Sequence, residues 1–189
     1  MSNAFSISIP HLRTERLTLR EYRREDFDAF ADHFANHYAN HPANPDSAAD
    51  PSAAGLSEAD RHMAWRIFCS HAGLWLVGGA GWWAVEETHT GQLVGSVGAF
   101  FREQSTMLEL GWNTYRAVRG RGYAIEAAAA ALRHAFEMRR EPQVQALIAP
   151  GNASSLRVAQ RLGLSYEGET VLAGEAIGSY TLRREDWIA

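Results

Sequence analysis

The chain has no lysine; all 18 of its basic side chains are arginine. That absence excludes a Walker A phosphate loop, which needs Gly-Lys followed by Ser or Thr. There is one cysteine, Cys69, so no internal disulfide can form and nothing points to an oxidising compartment or a cysteine-ligated metal centre; the thiol is expected to be packed. No apolar run approaches the roughly 18–20 residues that span a bilayer, and the alanine tract from Ala127 to Ala131 is too short and too weakly hydrophobic. The residues ahead of Pro10 lack a basic n-region followed by an apolar segment, so a cytoplasmic chain without a membrane partner is expected. Positive charge is not in excess either. A net charge of -4 and a pI near 6.1 argue against direct nucleic-acid binding over a broad basic face.

What is present suits one domain over residues 1–189: 46% of the residues are hydrophobic, enough for a core without staples. Leu17 to Arg20 alternates apolar and polar residues and predicts a strand after an extended tail containing Pro10. Phe27, Phe30, Phe34 and Tyr38 recur at helical spacing, with Glu25, Asp26 and Asp28 favouring the first turn, so a helix is expected from Arg24 to about Ala39. Residues 40–55 hold three of the six prolines and no hydrophobic period; they are expected to form a flexible loop insertion. Ser57 with Asp60 resembles a capping box and predicts a helix that frays near Gly73.

Trp82 to Glu87 and Leu93 to Phe101 read as an antiparallel pair around Thr88-His89-Thr90-Gly91. Met107 to Trp112 is a further strand. A long helix follows from about Tyr123 to Arg139, with Ile125, Ala129, Leu132 and Phe136 on its inner face. Pro142 ends it, and Val144 to Ile148 reads as a central strand. Asn152 opens a helix stopped by Gly163, and Ser165 to Val171 and Ile177 to Leu182 close the chain. The sum is an α/β (α+β) domain: one mixed, mostly antiparallel sheet of about seven strands flanked by helices.

Chemistry concentrates between the strand at Trp112 and the helix at Tyr123. Arg119-Gly120-Arg121-Gly122-Tyr123-Ala124 joins a strand to a helix start, where glycines allow close backbone approach and free N–H groups meet an anion. A dinucleotide-binding fingerprint would need a glycine where Ile125 stands, so a phosphate-bearing ligand of another kind is implied.

The segment Glu109 to Ala128, with Arg-x-x-Gly-x-Ala at Arg119, Gly122 and Ala124, resembles the acyl-CoA-binding motif of the GNAT N-acetyltransferase superfamily. Within it the chain is similar to the branch of ribosomal-protein N-terminal (alanine or serine) acetyltransferases. The residues that carry this are Glu15 to Arg20, Glu25-Asp26-Phe27, Gly78 to Val85, Asn152 to Ser155 and Arg184 to Trp187. The likeness covers nearly the whole chain apart from the loop from Asn40 to Gly55.

The resemblance implies an acyl-CoA N-acyltransferase fold and transfer of an acetyl group from acetyl-CoA to a primary amine, on a protein N-terminus or a small molecule, through a tetrahedral intermediate. Acetyl-CoA is the cosubstrate and no metal is needed. By the same resemblance, the backbone of Trp112, Asn113 and Thr114 would pair with the pantetheine arm. The amides of Gly120, Arg121, Gly122, Tyr123 and Ala124 would hold the pyrophosphate, with Arg119 and Arg121 supplying charge. Asn152 would contact the arm near the thioester, and it also reads as a helix N-cap worth ~1 kcal/mol. Ser155 would either assist that cap or lie near the leaving thiolate.

Glu109 is the candidate base, with facing solvent or pairing with an arginine as its alternatives. The family's tyrosine acid falls at Ala159, which leaves Ser155 as the candidate acid and Tyr166 as a weaker one. That departure also motivates an alternative from another class, a CoA-binding regulatory or interaction module without turnover. His33, His37 and His41 share a helical spacing, but Pro42 breaks the helix and no carboxylate partner is obvious, so no metal site is expected. At most one of Trp82 and Trp83 would line the acceptor pocket. Glu126 is expected to complement the helix dipole or pair with an arginine. The acidic balance does not oppose a homodimer.

Overall fold

A computed structural model describes residues 7–39, 56–103 and 105–188, with side chains of residues 35–39 outside that description. The segment 40–55, expected above to be a loop, lies outside the described residues. Eight strands form one sheet: β1 (Leu12–Arg13), β2 (Leu17–Arg20), β3 (Gly81–Glu87), β4 (Leu93–Phe100), β5 (Leu108–Thr114), β6 (Gln143–Ile148), β7 (Ser165–Leu172) and β8 (Glu175–Arg183). Their order is β1-β2-β3-β4-β5-β6-β8-β7, and every neighbouring pair is antiparallel except β5 with β6. The eighth strand, beyond the expected seven, is β1, two residues of the extended tail that pair back on Leu19 and Thr18.

Successive strand residues point to opposite faces, and two layers of helix cover them. On one face, α3 (Tyr123–Arg133) lies against β4 and β5 and runs on into one π-helical stretch, His134–Met138. Its buried stripe is Tyr123, Ala127, Ala128, Ala131 and Leu132, whereas Ile125 and Ala129 are only half-buried. The expected stripe is therefore turned towards the alanines, whose small side chains let the helix sit close to the sheet. The core on this side contains Trp83, Val97, Leu108, Leu110 and Val144, all fully or nearly fully buried.

The other face carries α1 (Phe27–Ala39) and α2 (Glu58–Gly78), which share a second, aromatic core of Phe30, Phe34 and Phe68 with Ala31 and Ala64. A buried ion pair anchors α1: Arg20 binds both carboxylate oxygens of Asp26 at 2.7 and 2.8 Å and Glu86 at 2.8 Å. Ser57 caps α2, its Oγ accepting from the amide of Asp60 at 3.1 Å. The helix passes through Gly73 and ends at Gly79 in the left-handed region, φ 61°. Trp75, packed edge-to-face on Trp83 with centroids 4.8 Å apart and donating Nε1–H to the Trp82 carbonyl at 2.9 Å, carries it past the expected fraying point. Cys69, expected to be packed, lies exposed on α2.

β5 and β6 share only two register pairs, Leu108 with Val144 and Glu109 with Gln145. Beyond them β5 stays with β4 as far as Thr114, while β6 stays with β8 as far as Ile148. The sheet opens into a wedge there, and the β5 backbone from Leu110 onward has no strand partner on that side. α4 (Ala153–Arg161) follows β6 beside this opening. No helix among the described residues is long and apolar enough to cross a membrane.

Candidate active site

The wedge is a cleft of about 870 Å³ running between the two halves of the sheet. Its lining contains Glu109, Leu110, Gly111 and Trp112 of β5, residues 146–152 at the end of β6, and Ser155 of α4. Of the residues expected to bind or act, it brings together Glu109, Trp112, Arg119, Asn152 and Ser155. Asn113 and Thr114 continue β5 beyond that lining, and the Thr114 carbonyl accepts from Arg119 Nε at 3.3 Å. Gly120 to Ala124 form the approach to α3, at the same end of β5.

That approach is shaped by backbone conformation. Gly120 and Gly122 have φ of 79° and 81°, values that L side chains avoid. Gly122 is the N-cap of α3, and no side chain caps the helix, so its first amides retain their hydrogen-bonding capacity. Arg119 and Arg121 are exposed beside it. Arg16, which the sequence reading left out, also reaches this point: Nη1 donates to the Arg121 carbonyl at 3.0 Å, and the guanidinium lies 4.8 Å from the Tyr123 ring centroid.

Glu126 holds the arrangement from beneath. It accepts from Arg16 Nε at 2.7 Å, from the Arg16 amide at 2.9 Å and from the Thr14 hydroxyl at 2.5 Å. Partial burial raises its carboxyl pKa, but these hydrogen bonds and the arginine charge outweigh that and hold it below the ordinary range. Tyr123 donates its hydroxyl to Glu87, which fastens the helix start to β3.

Glu109 is 5% exposed and engaged by Arg102 on both oxygens, at 2.5 Å to Nε and 2.7 Å to Nη2. The pairing with an arginine left open above is thus what the fold produces. Arg102 was missed, although hairpin arithmetic offers it: Phe100 and Glu109 are register partners, so two residues past Phe100 falls near Glu109. Arg116, another cleft residue, carried no motif signal. Asn152 is the N-cap of α4: its Oδ1 accepts from the Ser155 amide at 3.0 Å and the Ser154 hydroxyl at 2.8 Å, which leaves the side-chain amide N–H groups as donors.

Ser155 is half-buried and provides the one hydroxyl side chain in the described lining; that lining contains no tyrosine or histidine. Ala159 is fully buried in the core. Tyr166 lies outside the lining, 58% exposed on β7 against Tyr180. Trp83 is buried, and Trp82 lines the cleft. His33 stacks on Tyr115 with centroids 4.7 Å apart, while His41 and the His37 side chain lie outside the described residues. Among the described residues no cluster of three His, Cys, Asp or Glu groups could hold a metal ion.

The parallel strand pair thus splays beside a glycine-hinged helix start. The sequence profile of the GNAT acetyltransferase domain matches residues 16–165, and the chain belongs to that family. An acetyltransferase from Agrobacterium tumefaciens is 30% identical, with 97% of this chain and 99% of that one covered and a TM-score of 0.73. The ribosomal-protein alanine acetyltransferase of Vibrio fischeri shares the fold at 19% identity, with 96% and 100% covered and a TM-score of 0.69. So does a ribosomal-protein α-N-acetyltransferase in complex with coenzyme A, at 13% identity, 92% and 98% coverage and a TM-score of 0.69. The Bacillus subtilis protein YkkB is 39% identical over 90 residues, 47% of this chain and 52% of its own, so the match spans about half the length of that curated relative.

Proposed function

We propose that the protein transfers an acetyl group from acetyl-CoA to a primary amine, the two meeting in the cleft. The observation that carries this reading is the coincidence of an unpartnered β5 edge with an uncapped, glycine-hinged α3 start at one end of the same cleft. The residues present fit the cosubstrate. The free β5 backbone suits a pantetheine arm, which carries amides of its own, by strand-like pairing. The α3 amides with Arg119 and Arg121 suit a pyrophosphate, and arginine stays protonated at every working pH. The thioester supplies an activated acyl carbonyl at the narrow end of the wedge.

In the transfer the amine nitrogen forms a bond to the acyl carbon and the carbon–sulfur bond breaks. The amine sheds one proton and the thiolate takes one up. Glu109 is the single carboxylate of the described lining, so it is the group to which water relays the amine's proton. Its two Arg102 hydrogen bonds fix it in place and leave further lone-pair positions open. The Asn152 amide and the Ser155 hydroxyl stand where β6 gives way to α4, suited to hold the arm and to return a proton to sulfur.

Thiol release followed with acetyl-CoA and a broad amine panel tests the reading. Saturable release that requires both substrates is expected. Coenzyme A binding without release on any amine would instead establish the protein as a CoA-binding module, the alternative that Ala159 at the acid position suggests.

A further inference from the structure

The cleft wall on the α2 face carries groups that the transfer step does not use. Trp82, Gly98 and Gly111 occupy one row across β3, β4 and β5. A Cβ on Gly98 would stand 2.6 Å from Trp82 Cδ2, and one on Gly111 2.5 Å from Trp82 Cη2. The indole therefore lies flat over two strands on bare backbone, and only glycine at both positions admits it. His71 stacks parallel on the ring, with centroids 4.5 Å apart and an 8° interplanar angle, and Phe100 flanks it at 5.4 Å. With its faces covered, the indole presents its benzo edge, whose Cη2 lies over Gly111, to the opening between β5 and β6.

The next row holds Phe100 and Glu109. Arg102 spends Nε and Nη2 on Glu109 and lies 5.6 Å from the Phe100 centroid, while Nη1 takes no part in that pairing and the side chain is 39% exposed. The described lining thus has one carboxylate, already neutralised, and three arginines. A second ammonium on the acceptor would find no anionic partner there.

We propose that the acceptor is a monoamine whose amino group neighbours a carbonyl or carboxylate oxygen and whose body is a flat apolar ring: the α-amino group of an aromatic amino acid, free or at the start of a peptide. This rests on the acetyltransferase reading above. The ring packs on the Trp82 edge and Phe100, and Arg102 Nη1 donates to the oxygen, which orients the amine over Glu109. Among the described lining residues a polyamine's second ammonium has no carboxylate other than Glu109 to pair with.

Acetylation by acetyl-CoA, compared for phenylalaninamide, alaninamide, phenethylamine and spermidine, tests this. The kcat/KM for phenylalaninamide is expected to exceed that for alaninamide at least tenfold and that for spermidine at least a hundredfold. Free phenylalanine against the tripeptide Phe-Ala-Ala distinguishes the two sources. Trp82→Ala should shrink the first ratio below threefold with coenzyme A affinity retained. Arg102→Gln, at a partly exposed site, should remove the preference for phenylalaninamide over phenethylamine, which lacks the oxygen. Equal rates on alaninamide and phenylalaninamide, a preference for spermidine, or ratios unmoved by both variants overturn the proposal. If no amine turns over, equilibrium dialysis of phenylalaninamide with coenzyme A present decides. Retention that Trp82→Ala abolishes supports the pocket while refuting transfer, and no retention refutes the pocket.

Discussion

His71 shows how one side chain couples the cleft wall to the interior. It stacks on Trp82, and its Nδ1 lies 3.3 Å from the Tyr22 hydroxyl, which donates to Ser96 Oγ at 2.7 Å. Burial pushes its pKa down to about 4. In the unfolded chain it takes up a proton near pH 6.5, so the unfolded state binds more protons between those values. The neutral ring's contribution is complete above pH 6.5 and is lost as pH falls through that window, by about 1–3 kcal/mol. His71→Phe keeps the stack and removes the titration. Its melting temperature should therefore fall less steeply than that of the wild type between pH 7 and pH 4.5, and parallel curves would remove His71 as the source.

Among the elements, α3 governs the end of the cleft proposed above to take the pyrophosphate. Its first turn is tied to the turn before β2 by Glu126, with bonds to Thr14 and Arg16, and to β3 through Tyr123 and Glu87. Glu126→Ala removes the acceptor of the Arg16 amide and leaves the Thr14 hydroxyl with only the Leu17 carbonyl, at 3.3 Å. A loss of about 1–3 kcal/mol in urea unfolding is expected. Coenzyme A affinity should fall severalfold, because the Arg121 carbonyl loses its hold through Arg16. Unchanged affinity would mean that the loop keeps its shape without this tie.

The sequence located this helix start through Arg119 to Ala124, because glycine spacing and the strand-to-helix change are local signals. The ties across it were not legible: Thr14 and Arg16 lie more than a hundred residues from Glu126 and meet it only once the sheet forms. Gly73 misled for a similar reason, since local propensity favours an end there and the packing of Trp75 on Trp83 overrides it. The turn at Ala173 and Gly174, both at positive φ, joins β7 to β8 as a two-residue hairpin.

At the scale of the molecule, the sheet's division between β5 and β6 makes the site. Strand composition cannot show that division, because it lies in the backbone: Glu109 pairs with Gln145 of β6 and Leu110 has no partner there. Nor could the eight-strand count be read from a two-residue β1. The charge distribution follows the same plan: a chain of net charge -4 concentrates arginines along its cleft. With no lysine anywhere, arginine is the one side chain that keeps a positive charge at every working pH.

The claim that the α3 start and the wedge hold an acyl-CoA is tested most directly by calorimetric titration of coenzyme A into the wild type and Gly122→Val. A side chain at φ 81° costs about 1–3 kcal/mol in strain, which a melting curve records separately. It also fills the space beside the free α3 amides. One coenzyme A per wild-type chain and at least tenfold weaker binding by the folded variant are predicted. Equal affinities for the two proteins, or no binding by the wild type, would contradict the account.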